Sequence, residues 1–212
     1  MELIHPLVET YAAAYSSKED ELLQQMAADT YSSHHDPQML SGHLQGQFLE
    51  MISKLIFPKH ILEIGTMVGY SAICLAKGLQ QGGMLHTIEL RESDAAIAGT
   101  NFEKAKLAHC IQQHIGNAQE IIPTLDIAWD IVFLDADKVG YCKYYELVKP
   151  RLKKGGLILA DNVLFHGEVL SNEIKGKNAK AIQAFNELVA ADDTVEKILL
   201  TQRDGLFLIR KK

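Results

Sequence analysis

The chain has 212 residues, of which 47% are hydrophobic and 23% charged, with a formal net charge of −6. That length and balance fit one soluble globular domain with a full core. The acidic total argues against a protein whose main task is gripping phosphate backbones. The opening residues, MELIHPLVET, carry no basic segment followed by an apolar one, so no signal peptide is expected. No apolar run approaches the ~20 residues that a membrane span needs. Cys74, Cys110 and Cys142 are isolated, odd in number and form no C-x-x-C pair. Reduced thiols in a cytoplasmic protein are the simplest reading.

Residues 1–57 read as a helical N-terminal segment. HPLVETYAAAY places Leu7, Tyr11 and Ala14 at helical spacing, EDELLQQMAADTYS does the same with Leu22, Leu23 and Met26, and GHLQGQFLEMISKLIF stops at Pro58. The polar SSHHDPQMLS between the last two is a loop. Residues 58–212 then alternate. The strand candidates are HILEIG, MLHTIEL, CIQQHIG, DIVFLDA, GLILAD, EKILLTQ and GLFLIRK, and helical patterns fall at 69–79, 93–107, 117–124, 140–150 and 178–190. Such alternation means βαβ units and a parallel sheet. Only RDG separates the last two runs, and Asp-Gly is a hairpin signal, so the final strand is expected to run antiparallel. The expected fold is α/β, a single domain with a seven-stranded, mostly parallel sheet and extra N-terminal helices.

In an open α/β sheet, ligands bind beyond the carboxyl ends of the strands. After the first strand comes EIGTMVGYS, in which Gly65 and Gly69 allow a tight turn and close approach to a ligand. The spacing is G-x-x-x-G rather than the G-x-G-x-x-G of dinucleotide folds. Glu89 ends the second strand, where an acid can accept hydrogen bonds from ribose hydroxyls. Glu63 in the loop would repel a pyrophosphate and suits a cationic ligand. S-adenosylmethionine, a sulfonium with an ammonium and no phosphate, fits this pattern better than NAD. The fourth run ends in Asp135-Ala136-Asp137-Lys138, and the fifth in Asp161-Asn162. If those two strands are neighbours, Asp135, Asp161 and Asn162 converge as an all-oxygen set suited to Mg²⁺, Mn²⁺ or Ca²⁺. Turn capping by Asp161-Asn162 is the competing explanation.

LEIGTMVGYSA, FLDADKVGYCKYY, GGLILADNVLFHGEV and MLSGHLQGQFL together resemble the cation-dependent O-methyltransferases, the family of caffeoyl-CoA and catechol O-methyltransferases. The resemblance runs from about residue 30 to the end and implies a Rossmann-like methyltransferase fold. By position it implies Asp135, Asp161 and Asn162 as metal ligands and Lys138 as general base. It also implies cofactor contacts at Met39, Ser41, Glu63, Gly65, Ser71, Glu89 and Ala118, with Thr66, Gly69, Leu90 and Asp135 beside them. Core packing is the alternative for Met39 and Ala118, and an ion pair with Asp137 is the alternative for Lys138. Two positions depart from the family pattern. Phe165 and His166 follow DNVL where the family usually has Trp, and Val139 follows Lys138 where it usually has an acid.

The implied activity is methyl transfer from S-adenosylmethionine to a hydroxyl of a small catechol-like or vicinal-diol acceptor, assisted by a divalent cation, Mg²⁺ first. A homodimer is expected, with no nucleic-acid or membrane partner. The competing readings are a methyltransferase acting on RNA or protein, a non-catalytic binding module, and an NAD-dependent oxidoreductase. His34 and His35 are candidate acceptor contacts or solvated loop residues. Tyr141, Tyr144 and Tyr145 share one helix face and are expected to pack.

Overall fold

The computed structural model describes residues 4–212. Residues 1–3, part of the stretch read for a leader, lie outside the described residues. Three helices come first: α1 (Pro6–Ala14), α2 (Glu21–Ser33) and α3 (Gly42–Ile56). Local chemistry sets their ends. Pro6 opens α1 behind a His5 cap, the Asp20 carboxylate caps α2 by accepting from the Leu22 N–H at 2.9 Å, and α3 ends at left-handed Phe57 just before Pro58.

The α/β part follows as β1 (His60–Ile64), α4 (Tyr70–Ala76), β2 (Met84–Glu89), α5 (Glu92–Lys104), β3 (Ile111–Ile115), α6 (Ala118–Ile121) and β4 (Trp129–Leu134). It ends with α7 (Tyr141–Val148), β5 (Leu152–Asp161), α8 (Lys177–Ala190), β6 (Val195–Leu200) and β7 (Leu206–Lys211). The seven strands form one sheet in the order β3-β2-β1-β4-β5-β7-β6. Pairing is parallel from β3 across to β5, and β7 is antiparallel to both β5 and β6. The antiparallel last strand agrees with the sequence. Its insertion between β5 and β6 was not foreseen. The connection is also longer than RDG. Residues 201–205 lie between the strands, with Arg203 (φ 49°) and Gly205 (φ 84°) both left-handed, so Asp-Gly is not a two-residue turn here.

Alternate side chains of the central strands feed two apolar layers. Leu62 and Ile64 of β1 face α6, α7 and α8 with Val132 and Ile158, while Ile61 faces α3 and α4 with Ile131 and Phe133. Every residue of α4 is buried, because α3 lies across its outer side. Close approach there depends on glycine. A Cβ at Gly78 would sit 2.4 Å from the Ser53 carbonyl carbon, and Ser53 Oγ donates to the Leu75 carbonyl at 2.6 Å. The strand order reverses between β1 and β4, which opens a crevice at their carboxyl ends.

Candidate active site

A cleft of about 810 Å³ lies at that edge, bordered by the loops after β1, β2, β4 and β5, by the segment before α3 and by the β6–β7 loop. Its floor is set by contact between two loops. Gly65 has φ 98°, and a Cβ there would stand 2.0 Å from the Asp135 carbonyl oxygen, so glycine is required for the β1 and β4 loops to touch. Gly69 is required for packing, since Phe102 would lie 2.5 Å from its Cβ.

Beneath this floor runs a buried polar chain. Glu63 is fully buried and accepts hydrogen bonds from Ser71 Oγ at 2.7 Å and Thr87 Oγ1 at 2.6 Å. Thr66 Oγ1 also bonds to Thr87 Oγ1. Burial pushes the Glu63 carboxyl up to about 8, against the pull of its two hydroxyl donors. Its side chain therefore braces the glycine loop from below and does not line the cleft, whereas Gly65, Thr66 and Ser71 do.

Glu89 faces the cleft at the end of β2. Its Oε2 accepts from the N–H groups of Thr66 at 3.2 Å and Met67 at 2.7 Å, and its Oε1 accepts from Arg91 N at 3.0 Å. The backbone thus holds a carboxylate rigidly while leaving lone pairs for ligand hydroxyls. Leu90, Ala118, Met39 and Ser41 also line the cleft. Met39 and Leu90 are largely exposed, while Ala118 and Ser41 are 7% exposed.

The second cluster stands at the ends of β4 and β5. Leu134 pairs with Ala160, so the next residues, Asp135 and Asp161, are carried to the same edge, as the sequence required. Asp161 is 3% exposed, and burial and then the Asp135 charge push its carboxyl up to about 6. Asn162 follows in the left-handed region at φ 57°. Lys138 Nζ donates to Asp135 Oδ1 at 3.1 Å and to Tyr141 Oη at 2.9 Å, and Tyr141 Oη lies 2.9 Å from the Asp161 carbonyl. Burial opposes the ammonium charge, but Tyr141 and Asp135 outweigh it and raise Lys138 above its ordinary value. The supposed Lys138–Asp137 ion pair is not formed. Asp137 instead accepts from Gly140 N at 2.9 Å and from Tyr144 Oη. Two of the three tyrosines expected simply to pack are thus polar members of the site's frame.

Gln45, Arg203 and Asp204 belong to this edge and were missed in the sequence. Gln45 Nε2 donates to Asp161 Oδ2 at 2.8 Å, Arg203 donates to Gln45 Oε1, and Asp204 Oδ2 accepts from Asn162 Nδ2 at 3.3 Å. The available clues were the RDG that served as a turn signal and the MLSGHLQGQFL stretch that contains Gln45. His34 turns away from the cleft toward Asp94 at 3.4 Å, and His35 lies 3.1 Å from Asp36. Among the described residues no group of three or more His, Cys, Asp or Glu side chains is arranged to hold a metal ion. The set at this edge is two carboxylates and an amide.

A family model described as O-methyltransferase matches residues 13–212. The chain belongs to this O-methyltransferase family. The catechol O-methyltransferase of Niastella koreensis is 35% identical over 160 residues, spanning 74% of this chain and 72% of that protein. Two solved relatives share the fold. The O-methyltransferase TomG of Streptomyces achromogenes, in complex with SAM, is 32% identical with a TM-score of 0.88, covering 97% of this chain and 96% of that one. The O-methyltransferase of Bacillus cereus, in complex with SAH, is 31% identical with a TM-score of 0.87, covering 97% of each. This O-methyltransferase is therefore S-adenosylmethionine-dependent and has the Rossmann-like architecture of those cofactor-bound relatives. Family membership decides against the oxidoreductase and non-catalytic readings.

Two outcomes follow. Glu89→Ala removes the acceptor facing the cleft and frees two loop amides, so S-adenosylmethionine binding measured by calorimetry should weaken by at least about tenfold, on losing one charge-assisted bond of about 1.5–3 kcal/mol. Unchanged affinity would dismiss the ligand-facing role. Glu63 gives a pH signature. An acid held at about 8 when folded and near 4.5 when unfolded keeps its proton more firmly in the folded state. Its stability is whole below 4.5 and drains as pH rises toward 8, by at most about 1.4 kcal/mol per unit. Thermal melting of Glu63→Gln should therefore fall less steeply than wild type between those limits.

Proposed function

We propose that this O-methyltransferase transfers the methyl group of S-adenosylmethionine to a hydroxyl of a small catechol-like or vicinal-diol acceptor, with a divalent cation held by Asp135, Asp161 and Asn162. The observation that carries the reading is the meeting of Asp135 and Asp161 at adjoining strand ends, where burial and then the Asp135 charge raise the Asp161 carboxyl. A hard cation, Mg²⁺ before Mn²⁺ or Ca²⁺, fits two carboxylates and an amide oxygen. The name of the Niastella koreensis relative supports a catechol-type acceptor.

When bound, the cation supplies Lewis acidity that lowers the pKa of an acceptor hydroxyl, and the cofactor supplies the methyl group. The chain's own contribution is placement. Glu89 and the glycine loop hold the nucleoside end of the cofactor, with Ala118 and Leu90 alongside and Met39 and Ser41 on the opposite wall. Lys138, tethered between Asp135 and Tyr141, receives the acceptor proton at Nζ. Burial favours its neutral form, but Tyr141 and Asp135 together hold the ammonium protonated, so engaging the charge of Asp135 on a cation would favour the base form. Phe165 and His166, two positions that depart from the family pattern, line the cleft and shape the acceptor side, while the third, Val139, is 43% exposed and lies outside the lining. Docking the acceptor in line with the methyl group accounts for much of the rate.

Excess EDTA should abolish turnover while leaving cofactor affinity within a few-fold, and Asp161→Ala should behave like the chelator. Lys138→Ala should retain cofactor and metal and lose about 10²–10⁴-fold in kcat. Full activity in EDTA would refute the cation. A screen of catechols against RNA and protein acceptors decides the substrate class.

No helix among the described residues is long and apolar enough to cross a membrane. The three cysteines are free, which supports a reducing cytoplasmic setting. We also propose a homodimer through α1. None of its described side chains is buried, and Leu7 (70% exposed) and Tyr11 (65%) form an apolar face with Tyr15 (77%) just past the helix end, the two tyrosine rings stacked at 4.5 Å. Light scattering at micromolar concentration should return twice the chain mass, and a monomer would contradict this.

A further inference from the structure

The geometry points to the β6–β7 loop as the element that orients the cation donors, with Arg203 and Asp204 as positioning residues acting on Asp161 and Asn162. This rests on the cation reading above. The inference follows from what each side chain can donate or accept. A carboxylate accepts only, so Asp204, 3.3 Å from Asn162 Nδ2, must take the amide's NH₂ end. Asn162 Oδ1 is thereby the end left for the cleft. A guanidinium donates only, so Arg203 must take Gln45 Oε1. Gln45 Nε2 is then the end offered to Asp161, at 2.8 Å from Oδ2. That bond takes up one lone pair of Oδ2 and leaves Asp161 Oδ1 the less occupied oxygen for a cation. Two neighbouring residues of opposite charge thus choose the orientation of both donors on β5 and the turn after it.

The same loop also holds the backbone that carries Asn162. Leu164 N donates to the Asp204 carbonyl at 2.9 Å and Val163 N to the Gly205 carbonyl at 3.1 Å. Asp204 Oδ1 accepts from His166 N at 2.5 Å. A Cβ at Gly205 would stand 2.6 Å from Leu164 Cγ, so the approach needs glycine. These contacts hold Asn162 at φ 57°, a conformation that a non-glycine residue keeps only where its surroundings impose it. Arg203 Nη2 also donates to the Leu40 carbonyl at 3.1 Å, tying the segment before α3 to the same brace.

The test is Mn²⁺ titration followed by electron paramagnetic resonance on SAH-saturated protein, with calorimetric SAH affinity and thermal melting in parallel. Asp204→Ala should weaken Mn²⁺ binding by about 10–100-fold while SAH affinity stays within twofold. Asp204→Asn keeps the size and one acceptor oxygen, and should fall between Asp204→Ala and wild type. It also serves if the alanine variant does not fold. Arg203→Met, which frees Gln45 to turn its oxygen toward Asp161, should likewise weaken Mn²⁺. Wild-type Mn²⁺ affinity in both Asp204→Asn and Arg203→Met would overturn the inference while sparing the cation. A wild-type protein that binds no Mn²⁺ would overturn the cation reading itself, and this inference with it.

Discussion

Two carboxylates stand side by side at the ends of neighbouring parallel strands, and the rest of the site is organised around their repulsion. The β4–β5 register puts them there, with Asp161 buried and Asp135 partly open to the cleft, so water screens their repulsion only in part. The chain answers with Lys138 on Asp135, Gln45 on Asp161 and the Arg203 guanidinium behind Gln45. Each partner leaves oxygen lone pairs facing the cleft. Removing Gln45 would leave the buried Asp161 carboxylate less compensated, and bonds from α3 and the β6–β7 loop end at this point.

The cofactor side follows a different logic. There the binding groups are mostly backbone, and the buried side chains serve to hold the backbone in place. Glu63, Ser71, Thr87 and Thr66 form one satisfied network under the glycine loop, and Glu89 gathers three amide groups above it. A residue at the carboxyl end of a strand can thus be part of the site without touching a ligand. Glu63 and Glu89 lie on neighbouring strands of the same sheet, yet one is sealed beneath the loop and the other faces the cleft.

The N-terminal helices contribute in two separate ways. α3 lies across α4 and sends Gln45 inward to Asp161, so an outer helix supplies a hydrogen-bond donor to the candidate site. α1 sends no side chain to the core, and its apolar face is turned outward. The distinction was invisible in the helical periodicity, since both stretches show the same apolar spacing.

By itself, the sequence determined the class of fold and the family, and it singled out the strand ends where chemistry is proposed. These depend on local signals: alternating apolar runs, glycine after a strand, acids where apolar runs stop, and the Asp-Ala-Asp-Lys and Asp-Asn spacing. Tertiary structure decided which acids meet and what each one does. Neighbouring strand order brought Asp135 to Asp161, and the fold assigned Lys138 to Asp135 and left Asp137 to cap a turn. It also placed β7 inside the sheet edge and thereby delivered Asp204 and Arg203, read from the sequence only as turn residues, to hydrogen-bond partners some 40 residues away in Asn162 and more than 150 away in Gln45. The physical reason is range. Propensity and pattern act over a few residues, whereas hydrogen bonding and charge compensation act through space, between groups that only the packed sheet brings together.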